Sequence, residues 1–112
     1  MRIKKSVIHN PRQLEKLLDD VVGLEGSVTW DPGSLATGAG ETKSLTVNGA
    51  ALGDFVTVAP PYDLQDLQCC GYVQAANTVE IRLDNNAAGA ARNLGSGTWK
   101  VRVQPGAAMR SL

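Results

Sequence analysis

Two stretches of the chain alternate apolar and polar residues with a period of two, and they constrain the fold more than any other feature. In residues 78–83, Val79, Ile81 and Leu83 alternate with Thr78, Glu80 and Arg82, and in residues 98–104, Trp99, Val101 and Val103 alternate with Thr98, Lys100, Arg102 and Gln104. Successive side chains of a strand point to opposite faces, so each stretch predicts a strand with one apolar and one polar face. Strands solvated on one side belong to antiparallel sheets, because parallel sheets are covered on both faces.

The rest of the chain after residue 26 follows the same rule in shorter pieces. Residues 27–30 predict a short strand closed by the turn Asp31-Pro32-Gly33, followed by an exposed loop of small residues through Gly40. Residues 42–47 alternate with Leu45 and Val47 on one face, and Asn48-Gly49 and Gly53-Asp54 are turn signals. Residues 55–58 read as a buried strand stopped by Pro60-Pro61. Residues 67–75 put Leu67, Cys69 and Val73 on one face and Tyr72 on the other. Asp84-Asn85-Asn86 reads as a polar loop. Some six short strands with Gly, Asn and Pro between them predict an antiparallel β-sandwich or jelly-roll-like domain.

Before residue 26 the pattern is helical. Asn10 suits an N-cap, Pro11 the first helical position, and Gln13 the acceptor position of a capping box. Leu14, Leu17, Leu18, Val21 and Val22 then recur on one helical face, and Gly23 supplies the stop. A helix of about three turns is marginal alone, so its apolar stripe must dock on the β domain or on another subunit. The expected organisation is a basic arm and amphipathic helix over residues 1–25, then the β domain over residues 26–112.

Composition narrows the function more than it defines it. The chain has 112 residues, enough for one core, with 43% apolar and 20% charged residues. Formal net charge is zero, which predicts no general attraction to nucleic acid or acidic lipid. No apolar run approaches the ~20 residues of a membrane span. The basic start Met1-Arg2-Ile3-Lys4-Lys5 lacks the apolar core of an export signal, so Cys69 and Cys70 are expected to be reduced. Adjacent cysteines in a strand face opposite ways, and Cys69 reads as a small core residue.

Signals of catalysis are sparse. The only histidine, His9, lies beside the helix cap rather than at a strand end, and there is no CxxC spacing, EF-hand loop or phosphate-binding glycine loop. Asp54, Asp63 and Asp66 could converge near one rim, although turn formation is the better account of them. Neither an enzyme activity nor a cofactor or metal is expected.

Several strings nevertheless belong together. Asp31-Pro32-Gly33-Ser34-Leu35, then residues 47–56 (VNGAALGDFV), Tyr62-Asp63-Leu64-Gln65, residues 72–79 (YVQAANTV) and residues 94–103 (LGSGTWKVRV) span most of the β region. Over residues 28–104 the chain resembles a small β module of tailed-bacteriophage virion structural proteins, of the head-decoration (cement) or tail-fibre type. The resemblance implies a virion location, the major capsid protein as partner, and assembly as a dimer or trimer on a repeating shell. In that setting the arm and helix are the expected contacts, through Arg2, Ile3, Lys4, Lys5, Val7, Ile8, Leu14 and Leu17. A tail-fibre or receptor-binding module, using loops 34–40 and 84–95, is the alternative.

Overall fold

The computed structural model describes residues 23–86 and 90–106. Eight strands occur in this region: β1 (Leu24–Trp30), β2 (Ser34–Leu35), β3 (Gly40–Thr46), β4 (Phe55–Ala59), β5 (Gln68–Ala75), β6 (Thr78–Asp84), β7 (Arg92–Asn93) and β8 (Gly97–Gln104). They form two three-stranded sheets, ordered β1-β8-β4 and β3-β6-β5, and a two-stranded ribbon β2-β7. Every pairing is antiparallel. The pairs β1–β8, β2–β7 and β3–β6 are nested, each inside the one before, with β4 and β5 at the centre of the sequence. The predicted arm and helix fall outside the described residues.

The two strands with the clearest alternation occupy the middle of the two larger sheets. Val79, Ile81 and Leu83 on β6 and Trp99 on β8 are fully buried, and Val101 and Val103 nearly so. Residues from both sheets share one apolar cluster. Two glycines sit where residues outside their own sheet leave no room for a side chain. A Cβ added at Gly71 on β5 would stand 2.6 Å from Val58 Cγ2 and 2.8 Å from Val56 Cγ1 of β4. At Gly26 on β1 it would stand 2.7 Å from Val47 Cγ2.

An aromatic group closes the core at one end. The Trp30 and Trp99 rings lie 5.0 Å apart, and Tyr62 meets Trp99 edge-on at 5.7 Å. Both are favourable separations for offset or T-shaped ring pairs. Burial pushes the Tyr62 phenol above its usual pKa, and its hydroxyl donates to the Gly95 carbonyl at 2.7 Å. The Trp99 indole N–H offsets part of that rise through its nearness to the Tyr62 oxygen, without meeting an acceptor in full hydrogen-bond geometry.

Four expectations are corrected. Strand β1 begins at Leu24, because Leu24, Gly26 and Val28 already face the core before Trp30 does. The supposed exposed loop contains β2, whose Leu35 is buried, and β3 starts at Gly40. Strand β4 is an edge strand rather than a buried one: Val56 and Val58 face in, and Phe55 is 64% exposed. Asn85 is fully buried instead of solvated. Its Nδ2 donates to Leu35 O at 2.8 Å and Ala90 O at 3.0 Å, and its main chain bonds Ala39 and Gly38. It joins the end of β6 to the two loops flanking the β2–β7 ribbon.

The opposite end is built from turns. Asn77, with φ 63°, turns β5 into β6, and its side-chain oxygen accepts from Gly49 N at 2.8 Å. Asp54 holds the turn before β4 by accepting from Ala51 N at 3.0 Å and Gly106 N at 3.1 Å. Gly23 also lies here, since β1 pairs Leu24 with Val103. The described chain therefore enters and leaves the domain at the same end.

Candidate functional site

The outer face of the β1-β8-β4 sheet carries an open depression of about 590 Å³. Strand register explains its shape. Across the sheet, Glu25 sits opposite Arg102 and Thr57 on Arg102's other side, and the next outward row is Ser27, Lys100 and Ala59. Ser27, Thr57 and Ala59 are short, so Lys100, Arg102 and Gln104 stand above them as walls. The Arg102 guanidinium is paired with the Glu25 carboxylate, both largely exposed. Lys100 has no acidic partner among the described residues. The face offers hydroxyls and one uncompensated positive charge to a surface laid against it, in an open hollow rather than a closed cleft.

On the outer face of the β3-β6-β5 sheet the charged groups find hydrogen-bond partners on the same face. Arg82 binds Asp84 at 2.9 Å, and the Tyr72 hydroxyl donates to the Glu80 carboxylate. The Asp84 hydrogen bond raises the Arg82 pKa, and the Glu80 hydrogen bond raises that of Tyr72. Cys70 is exposed on this side, whereas Cys69 points inward and is half-buried. Burial first, and the neighbouring Cys70 second, push the Cys69 thiol up to about 11. Both thiols are free.

A third surface is apolar. Leu52, 71% exposed, and Phe55, 64% exposed, lie on the turn and strand start next to the point where the described chain enters and leaves.

The residues expected to bind a partner, Arg2, Ile3, Lys4, Lys5, Val7, Ile8, Leu14 and Leu17, lie outside the described residues, as does His9. The acidic residues proposed for one rim are used separately. Asp54 holds its own turn, and Asp63 accepts from Gln65 N at 3.2 Å. Gln65 and Asp66 both have positive φ, 51° and 72°, and Arg92 Nε donates to Gln65 O at 3.3 Å. Among the described residues no three His, Cys, Asp or Glu side chains are grouped to hold a metal ion. The sheet hollow was not foreseen; the alternation of β8 marked Lys100 and Arg102 as outward, but only the register shows the short residues beside them. No family model, curated protein or solved structure matches this chain.

Proposed function

We propose that the chain is a virion structural protein of a tailed bacteriophage, most simply a capsid decoration protein that binds the outside of the major capsid shell. On this reading it acts by binding rather than catalysis, takes no cofactor, works at the capsid surface and assembles as a dimer or trimer to match a repeating lattice. The two larger sheets form a β-sandwich. The nested β1–β8, β2–β7 and β3–β6 pairs make it jelly-roll-like, as a long double-stranded hairpin rolled on itself would be.

The observation that carries the reading is the polarity of the domain. Gly23 and Gly106 lie at one end, so the chain before residue 23 joins the domain there, while the segments around the β2–β7 ribbon crown the far end. A rigid β body anchored from one end suits a protein clamped onto a shell. The resemblance over residues 28–104 supplies the class of virion protein.

Two measurements test it. In purified particles, the chain should be present in hundreds of copies, comparable with the major capsid protein; a handful of copies would instead support a tail module. Deleting residues 1–9 should abolish particle binding and leave the fold intact. Undiminished binding would refute the role of Arg2, Ile3, Lys4, Lys5, Val7 and Ile8.

A further inference from the structure

Each of the two larger sheets ends in strands with one edge unpaired among the described residues, β1 and β4 in the first and β3 and β5 in the second. Strand β1 lies against β3 and β4 against β5, so the four edges make two sides of the domain. The sides differ in charge. On one, Glu25 stands on β1, and Glu41 and Lys43 of β3 sit opposite Leu83 and Ile81, on the face of their sheet that turns toward the core. Charges in such places keep an edge strand from pairing with another chain. On the other side neither β4 (FVTVA) nor β5 (QCCGYVQA) carries a charged residue. Their inward residues Val56, Val58 and Cys69 are only half-buried, whereas the ladder partners Val103, Val101 and Leu83 are closed off.

The two uncharged strands are also centred on one another. A Cβ built on Gly71 would reach both Val58 Cγ2 and Val56 Cγ1, so Gly71 of β5 lies over Thr57, the middle residue of β4. A two-fold axis beside that point, perpendicular to both sheets, would bring β5 antiparallel to the β5 of a second copy and β4 antiparallel to its β4. Gly71 and Thr57 would then each face themselves. The same operation would set Phe55, which is 64% exposed, beside Ala59 of the second copy, a large side chain next to a small one. Pro60 and the register shift between Val73 and Ala75 fall at the ends of these seams and interrupt neither.

We propose that the chain forms a two-fold dimer through its β4 and β5 edges, extending each larger sheet from three strands to six. Backbone groups of the edge strands pair across the axis, and the seam covers Val56, Val58 and Cys69. Symmetry singles out a second copy as the occupant. Two uncharged strands aligned at their midpoints are both matched in one contact by a molecule that carries the same pair at the same spacing. The inference rests on these edges alone and not on the virion reading; within that reading it selects the dimer over the trimer.

Sedimentation of the full chain over a hundredfold concentration range tests the proposal, and the mass should reach twice 11.8 kDa at the top of the range. Thr57→Lys sets like charges against each other at the axis and should weaken association at least tenfold. The near-ultraviolet signal of the Trp30–Trp99 pair should stay unchanged, which shows that the variant is folded. An equimolar mixture of Thr57→Lys with Thr57→Glu should associate more tightly than Thr57→Lys alone, because residue 57 meets itself. A chain that stays monomeric throughout the range, or forms a trimer, would overturn the proposal. So would a dimer that Thr57→Lys leaves at full strength, or a mixture that associates no better than Thr57→Lys. A monomeric chain would leave the capsid reading to be decided separately by the copy number in particles.

Discussion

Replacing Asn85 by alanine tests how much one buried amide contributes to this fold. The side chain is wholly enclosed and donates to Leu35 O at 2.8 Å and Ala90 O at 3.0 Å. Alanine removes both donors. The Ala90 carbonyl keeps the Thr37 hydroxyl at 3.5 Å, but Leu35 O loses the side-chain donor it has across the end of β6. Each hydrogen bond is worth about 1 kcal/mol net, and a buried acceptor left without a partner costs about 1–3 kcal/mol. The expected destabilisation is about 2–4 kcal/mol, a large share of the 5–15 kcal/mol typical of a domain. At about 4–8 °C per kcal/mol for a domain of this size, Tm should fall by roughly 8–32 °C. Urea unfolding monitored by tryptophan fluorescence suits the measurement, because Trp30 and Trp99 are both in the core. The midpoint should move and the slope should not. A loss under about 0.5 kcal/mol would refute the reasoning, since a buried donor of this kind cannot be exchanged for water so cheaply.

Two further predictions rest on other contacts. Gly71→Ala places a methyl group against the β-branched side chains of Val58 and Val56, so it should destabilise by about 1–3 kcal/mol, and Val58→Ala should recover part of that loss in a double-mutant cycle; additive effects would mean that the strands do not touch there. In alkylation at pH 8, Cys70 should react quickly and Cys69 slowly, with the Cys69 rate rising about tenfold per pH unit up to about pH 11. Because the folded Cys69 holds its proton more tightly than the unfolded chain does, its contribution to stability is present below pH 9.0 and is lost as pH rises from there toward about 11. Equal labelling rates at pH 8 would contradict the half-buried placement.

What the sequence revealed depended on how many residues shared a pattern. Strands β6 and β8 were legible because three alternating apolar residues in each define a face, and those residues became the buried centre of the two sheets. Asn48-Gly49 was legible as a turn, and Gly49 has the positive φ, 96°, that such a turn needs. The β2–β7 ribbon was not, because two residues per strand carry no period and Leu35 among small neighbours looks like a loop. In β4, Phe55-Val56-Thr57-Val58 is apolar throughout its odd and even positions except at Thr57, so periodicity could not say that the aromatic ring faces outward. Asn85 was read as part of a polar loop because asparagine usually lies in one; its burial follows from Leu35 and Ala90, which lie 50 and 5 residues away in sequence. The polar hollow was invisible for the same reason, since Ser27 and Ala59 become neighbours of Lys100 only through pairing.

The nested pairing also dictates an order of events during synthesis. Strands β5 and β6 are joined by a tight turn and can pair as soon as both have left the ribosome. Strands β1 and β4, by contrast, have the same ladder partner, β8, which is made last of the eight. Until residue 104 emerges, Val28, Trp30, Val56 and Val58 have no strand to lie beside, and the nascent chain carries two apolar strands with open edges. Closing a loop that runs from Leu24 to Val103 is slow compared with forming a hairpin. A protein produced in many copies at once would expose those edges in every unfinished chain, so its yield should depend on temperature and chaperone supply more than its finished stability implies.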